Sequence, residues 1–202
     1  MNENTQANSA ENPVANEPRN FRPKLAFVHP NMKGTGTSAS FSLIPAYNDV
    51  DGCIWARFAN QISVADRSGP TPVYARFDYE NAINVKLGFG DLTKMLQVLR
   101  GETESIDEDR GLFHRFPGGQ TLIRMKHQIE PRAGYFIEVN RTVKGKPELS
   151  SYTFLTPAEA LGFAAAIESS FGVIAFGLPI VYDRELEAWL VEKERARNAV
   201  AA

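Results

Sequence analysis

The run Lys33-Gly34-Thr35-Gly36-Thr37-Ser38 invites a reading as an anion-binding loop, because glycine lets backbone N–H groups approach a phosphate closely. A nucleotide-binding phosphate loop requires Gly-Lys-Ser/Thr after four spacer residues and then a helix. Here an alternating, strand-like pattern follows instead. The run is therefore either a flexible hairpin or a loop that contacts an oxyanion or phosphate. The three histidines, His29, His114 and His127, are not spaced as a helical metal pair, and the chain has no HExxH. His127 falls on the strand parity assigned to the buried side, which fits a hydrogen-bonded core or interface residue. Cys53 has no base near it in sequence and reads as a small strand residue. Ser169-Ser170 lacks the GxSxG elbow, and Asp107-Glu108-Asp109 reads as a solvated linker. These residues form no coherent catalytic set, so the chain is expected to be non-enzymatic, with no cofactor and no metal. A hydrolase working through His114 or His127 is the weakest alternative.

A different chemistry emerges from the basic and aromatic residues. The formal charge of the 202-residue chain is -2. Between Arg110 and Lys146, however, eight basic residues face only Glu130 and Glu138, a local charge of +6. Period-two alternation places Trp55, Arg57, Tyr74, Arg76 and Lys86 on one side of a first set of strands, and Arg115, Arg124 and Lys126 on the same side of a second. The opposite parity, expected to face helices, carries Ile54, Phe58, Val73, Phe77, Ile83, Val85, Leu87, Ile123, Met125 and Ile129. Aromatic faces stack single-stranded bases at about 1–3 kcal/mol each, while Lys and Arg neutralise phosphates. No recognition-helix signature or zinc-finger spacing points to duplex reading. Cationic residues also occupy the solvent face of many antiparallel sheets, and a half-buried Trp or Tyr can pack against another subunit.

The elements that must position these side chains fall into a repeated order. Phe41 and Leu43, with Pro45, mark a first strand; a second covers Ile54–Ala59, a third Val73–Asp78 and a fourth Ala82–Phe89. The period then changes: Asp91 is the expected N-cap of a helix carrying Leu92, Met95, Leu96 and Leu99, stopped by Gly101. Strands at Leu112–Phe116, Thr121–Ile129, Gly134–Val143 and Leu149–Leu155 follow. A second helix begins at Thr156-Pro157-Ala158-Glu159, with Thr at N-cap, Pro at N1 and Glu at N3. Leu161, Ala164, Ala165 and Ile167 form its expected apolar stripe. Cap to cap, 156 minus 91 gives a repeat offset of 65, which pairs Leu87 with Tyr152, Phe89 with Phe154 and Leu96 with Leu161.

The expected class is α+β: two β4α repeats of antiparallel sheet, helices packed on one face, plus a C-terminal helix. Residues 1–20, rich in Asn, Glu, Ala and Pro, read as a disordered tail. One domain is expected over 21–182, with repeats near 24–102 and 110–170, and an amphipathic helix within 183–202 carrying Leu186, Trp189 and Leu190. Hydrophobic residues at 43% and charged residues at 23% are ordinary for a globular protein. No apolar run is expected to cross a bilayer, the N-terminus lacks a signal-peptide pattern, and a single cysteine fits a reducing cytoplasm.

Two successive β4α units over about Lys24 to Ser170 resemble the whirly fold of plant Whirly proteins, whose single-unit version occurs in the positive-cofactor-four type of transcriptional coactivator. In the plant family a Lys-Gly-Lys-Ala-Ala-Leu motif opens a strand; here Lys33-Gly34 precedes a strand-like run, and the second lysine is missing. The resemblance implies binding of single-stranded DNA or RNA on sheet faces and edges, without catalysis, by an oligomer. It carries over Lys33 alone from the motif. The expected protein is thus a bacterial or mobile-element binder of single-stranded nucleic acid, DNA before RNA. The alternative is an interaction or scaffold module whose aromatic face docks a partner or a second copy.

Overall fold

Alternating apolar residues and well-spaced turns set nine strands and two helices, which the computed structural model describes over residues 24–46 and 50–177 and at position 192. The expected N-terminal tail and the helix within 183–202 lie outside the described residues. In the first repeat, β1 (Lys24–His29), β2 (Thr37–Ile44), β3 (Cys53–Ser63) and β5 (Ile83–Leu87) form an antiparallel sheet. The short β4 (Arg76–Phe77) pairs with the far end of β3 beyond a register shift. Helix α1 (Phe89–Leu99) follows. In the second repeat, β6 (Leu112–Phe116), β7 (Gly119–Gln128), β8 (Gly134–Val143) and β9 (Leu149–Leu155) pair in sequence order, and α2 (Pro157–Phe176) closes the described chain. The β4α plan therefore holds, with one exchange of strands. The first strand is Lys24–His29, and the expected strand at Val73–Asp78 shrinks to two residues because β3 bulges between Gln61 and Ser63.

The repeat register also differs from expectation by three residues. Gly88, not Asp91, is the N-cap of α1; Asp91 sits at N3 and its carboxylate accepts the Gly88 N–H at 2.9 Å. In α2 Thr156 is the N-cap and Glu159 at N3 accepts the Thr156 N–H at 2.8 Å. Cap to cap the offset is 156 minus 88, or 68. At that offset Leu87 meets Leu155, Leu92 Ala160, Met95 Phe163, Leu96 Ala164 and Leu99 Ile167, and all ten are buried. Leu161 and Ala165, expected on the apolar stripe of α2, are exposed instead. Val73 and Ile129 are also exposed, Val73 on the segment before β4 and Ile129 just past the end of β7.

Each helix is anchored by the other repeat. Phe163 of α2 lies against Phe41 and Phe27 of the first sheet, with ring centroids 4.4 and 5.8 Å apart. At the N-terminus of α2, Glu159 Oε1 meets His29 Nε2 of β1 at 2.7 Å. At its other end, Val173 and Ile174 carbonyls accept the Ala46 and Gly52 N–H groups from the β2–β3 turn. Helix α1 mirrors this arrangement: Asp91 Oδ2 lies 3.2 Å from His114 Nε2 of β6, and the Leu99 carbonyl accepts the Tyr135 hydroxyl of β8 at 3.2 Å. His29 stands opposite Thr37 and His114 opposite Thr121, so the two anchors occupy equivalent strand positions. The inner faces and both helices share one apolar core. By length and composition alone α2 could span a bilayer, contrary to the expectation that no such run exists. Here it carries Ala160, Phe163, Ile167 and Ile174 into the core.

The segment between the repeats is no free linker. Ile106 is buried, its N–H donates to the Met125 carbonyl, and the His127 N–H donates to the Glu104 carbonyl. Asp107, Glu108 and Asp109 take left-handed φ values of 48°, 55° and 67°, which reverse the chain after Ile106. His127 itself is exposed, its ring centroid 4.8 Å from that of Tyr135 opposite it.

Burial opposes the charge on Asp91 and on Glu159, but hydrogen bonds outweigh it and hold both below the ordinary carboxylate range. The bonds come from His114 and the Gly88 N–H for Asp91, and from the Thr156 N–H and His29 for Glu159. A carboxylate depressed in the native state adds stability above its unfolded pKa, and that stability is lost as pH falls through the native value. His29→Ala and His114→Ala should each cost about 1 kcal/mol at neutral pH, partial exposure discounting the bond. That difference from the parent should shrink below about pH 4. Urea unfolding at pH 7 and pH 3 checks this; a pH-independent difference would contradict it.

Candidate functional site

With the inner faces sealed, the outward parity of each sheet is what remains for a ligand. On the first sheet, pairing sets Lys24, Ser42, Trp55 and Lys86 in one row across four strands, and Ala26, Ser40, Arg57 and Asn84 in the next. Ser38, Ser40 and Ser42 make a low floor, above which the 44% exposed Trp55 stands beside Lys86. Arg57 is half-buried: its guanidinium donates to the Tyr79 carbonyl and lies 5.1 Å from the Tyr79 ring. Tyr79 in turn reaches Ser38, oxygen to oxygen at 3.1 Å.

The second sheet is richer in rings. Lys126, Phe136 and Phe154 form one row, and Arg124, Glu138 and Tyr152 the next. Phe136 and Tyr152 stack at 5.5 Å with a 14° interplanar angle, and Arg132 lies 4.5 Å over Phe154. Phe113 and Arg115, both exposed, extend this face along β6. Arg124 is partly neutralised by Glu138 at 3.6 Å. Among the described residues Lys86, Arg115, Lys126 and Arg132 have no carboxylate within 4.0 Å.

Of the residues singled out by sequence, Trp55, Arg57 and Lys86 thus gather on the first face, and Arg115, Arg124 and Lys126 on the second. Tyr74 and Arg76 do not join them: Tyr74 is exposed on the segment before β4, and Arg76 lies in β4 beyond the bulge. Lys33 is exposed on the β1–β2 loop. Sequence reasoning missed Phe113, Arg132, Phe136, Tyr152 and Phe154. The signal was present, because Tyr152 and Phe154 alternate with the buried Ser151, Thr153 and Leu155, but the 65-residue offset matched Tyr152 to the buried Leu87.

The β1–β2 loop is tied to β3 and to itself by hydrogen bonds. Gln61 of β3, itself buried, accepts the Asn31 and Gly36 N–H groups at 2.9 and 3.0 Å and donates to the Asn31 and Ser63 carbonyls at 2.9 Å. Asn31 Oδ1 accepts the N–H groups of Lys33 and Thr35. A Cβ on Gly36 would fall 2.3 Å from both the Gln61 amide oxygen and the His29 carbonyl, so only glycine fits. Cys53 is buried, and burial pushes its thiol up despite the attraction of Lys86, leaving it a poor nucleophile. Among the described residues no three His, Cys, Asp or Glu side chains are grouped to hold a metal.

The arrangement of the two repeats superposes on solved structures. The structure of WHY1 from Arabidopsis thaliana superposes with a TM-score of 0.61 at 15% identity, over 89% of this chain and 94% of that one. The fold is whirly-type. WHY3 from the same plant gives 0.57 at 15% identity, over 77% and 92%. No protein-family model matches this whirly-type chain, and no curated protein matches it by sequence.

Gln61→Ala should cost about 2–3 kcal/mol, since it removes four hydrogen bonds from one buried amide. Chemical denaturation measures the loss, and amide hydrogen exchange should quicken at Asn31 and Gly36 before the strands respond.

Proposed function

We propose that this protein binds single-stranded nucleic acid, without catalysis, across the outward faces of its two sheets. One observation carries the reading: rings and uncompensated cations share those faces, Trp55 with Lys86 on one and Phe136, Tyr152 and Phe154 with Lys126 and Arg132 on the other. Rings of this kind give sequence-tolerant stacking, while the cations track phosphates. A duplex hides its base faces, so it would gain only the charge contacts. The whirly-type fold supports the reading through what the family resemblance implies.

A second reading, self-association, is favoured by one surface. Leu161, 74% exposed, and Phe176 lie on the side of α2 turned away from the core. Solution mass separates the two readings. If the protein is an oligomer that Leu161→Asp dissolves, and it shows no affinity for a single-stranded oligonucleotide at low salt, self-association replaces the first reading.

Fluorescence anisotropy with a single-stranded oligonucleotide tests the main proposal. With about five cations engaged, affinity should fall roughly 100-fold between about 50 and 200 mM salt. Tyr152→Ala should weaken binding about tenfold, as the loss of one stacked base requires. Absence of binding at low salt, or indifference to salt, would overturn the proposal.

A further inference from the structure

Between the β1–β2 loop and the edge strand β9 lies an open cleft of about 620 Å³. Val28 of the first sheet's outward side contributes to it, as do Tyr152 and Phe154 of the second's, so it joins the two faces. We infer that this cleft takes one unstacked nucleobase from a bound single strand, with Arg132 on the flanking phosphate; the inference rests on the nucleic-acid reading above.

Size, chemistry and rigidity all favour that occupant. The volume lies within the roughly 300–1,000 Å³ of sites that hold small organic ligands. Its aromatic wall is Tyr152 and Phe154, and Arg132 lies over the Phe154 ring at the rim with no carboxylate within 4.0 Å among the described residues. Its opposite wall, with Asn31, Thr35 and Gly36, is the loop wired by Gln61, so little ordering entropy remains to oppose a ligand. The charge layout fixes the ligand's orientation. At the inner end of the cleft the N-terminus of α2 is already occupied by its own Glu159, which accepts from Thr156 and meets His29. A phosphate would be repelled from that end and drawn to Arg132, whereas a neutral ring is accepted between the walls. A planar base entering from a strand that crosses between the faces satisfies both conditions.

The test uses the full chain and short oligonucleotides carrying a single 5-iodouracil at successive positions, cross-linked by light and mapped by mass spectrometry. The expected product joins Tyr152 or Phe154. Thr35→Trp, an exposed loop position that fills the cleft mouth, should remove that product and reduce affinity about fivefold, leaving the sheet faces to bind. Arg132→Glu should weaken both the cross-link and the salt dependence. Oligonucleotide that binds but cross-links only at Trp55 or elsewhere, with Thr35→Trp unchanged from the parent, overturns the cleft assignment and leaves the face reading intact. No binding at low salt overturns both.

Discussion

Phe163 inserted between the second repeat's helix and the first repeat's sheet is the contact on which the architecture turns. Its ring meets Phe27 and Phe41 and has no exposed surface. Burial of such a side chain contributes about 1.5–3 kcal/mol. Its geometric effect is larger than its energy, because it commits α2 to a sheet it does not follow in sequence. Met95, the equivalent position on α1, is likewise buried, and Asp91 and Leu99 tie that helix to the second sheet. Once both helices are exchanged, both inner faces are dry and both outer faces are free.

The freed faces differ in character. The first offers a serine floor with one tall ring, and much of its cationic potential is withdrawn because Arg57 is held by Tyr79. The second offers three rings in adjoining rows, with cations at the margins. His114, which sequence alone leaves open to a catalytic role, meets the N3 carboxylate of α1, as His29 meets that of α2. That contact needs a hydrogen-bonding ring on a strand and an acid at N3, and it asks nothing of chemistry on a substrate.

Local patterns were legible in the sequence where a single element determined them. Thr156-Pro157-Ala158-Glu159 starts its helix where the capping rule places it, and the second repeat's strands lie within a few residues of their alternation. The first repeat was harder. Val73 and Tyr74 have strand-like side chains but follow a bulge that takes them off the ladder, and β1 lies in a segment whose alternation is short. Gly88 as a cap has no side chain to announce it; Asp91 was visible, but an acid suits N-cap and N3 alike. That ambiguity of three residues shifted the repeat register and hid Tyr152 and Phe154 on the wrong side. The helix exchange and the Gln61-wired loop were illegible, because both depend on contacts between residues far apart in the chain.

The swap of helices also dictates the order in which a growing polypeptide can be completed. When the first sheet has left the ribosome, its last strand ending at Leu87, the apolar side meant for Phe163 has no cover until 76 further residues have been made (163 minus 87). Nascent chains of intermediate length therefore present a sticky, half-finished surface, and maturation must wait for long-range closure.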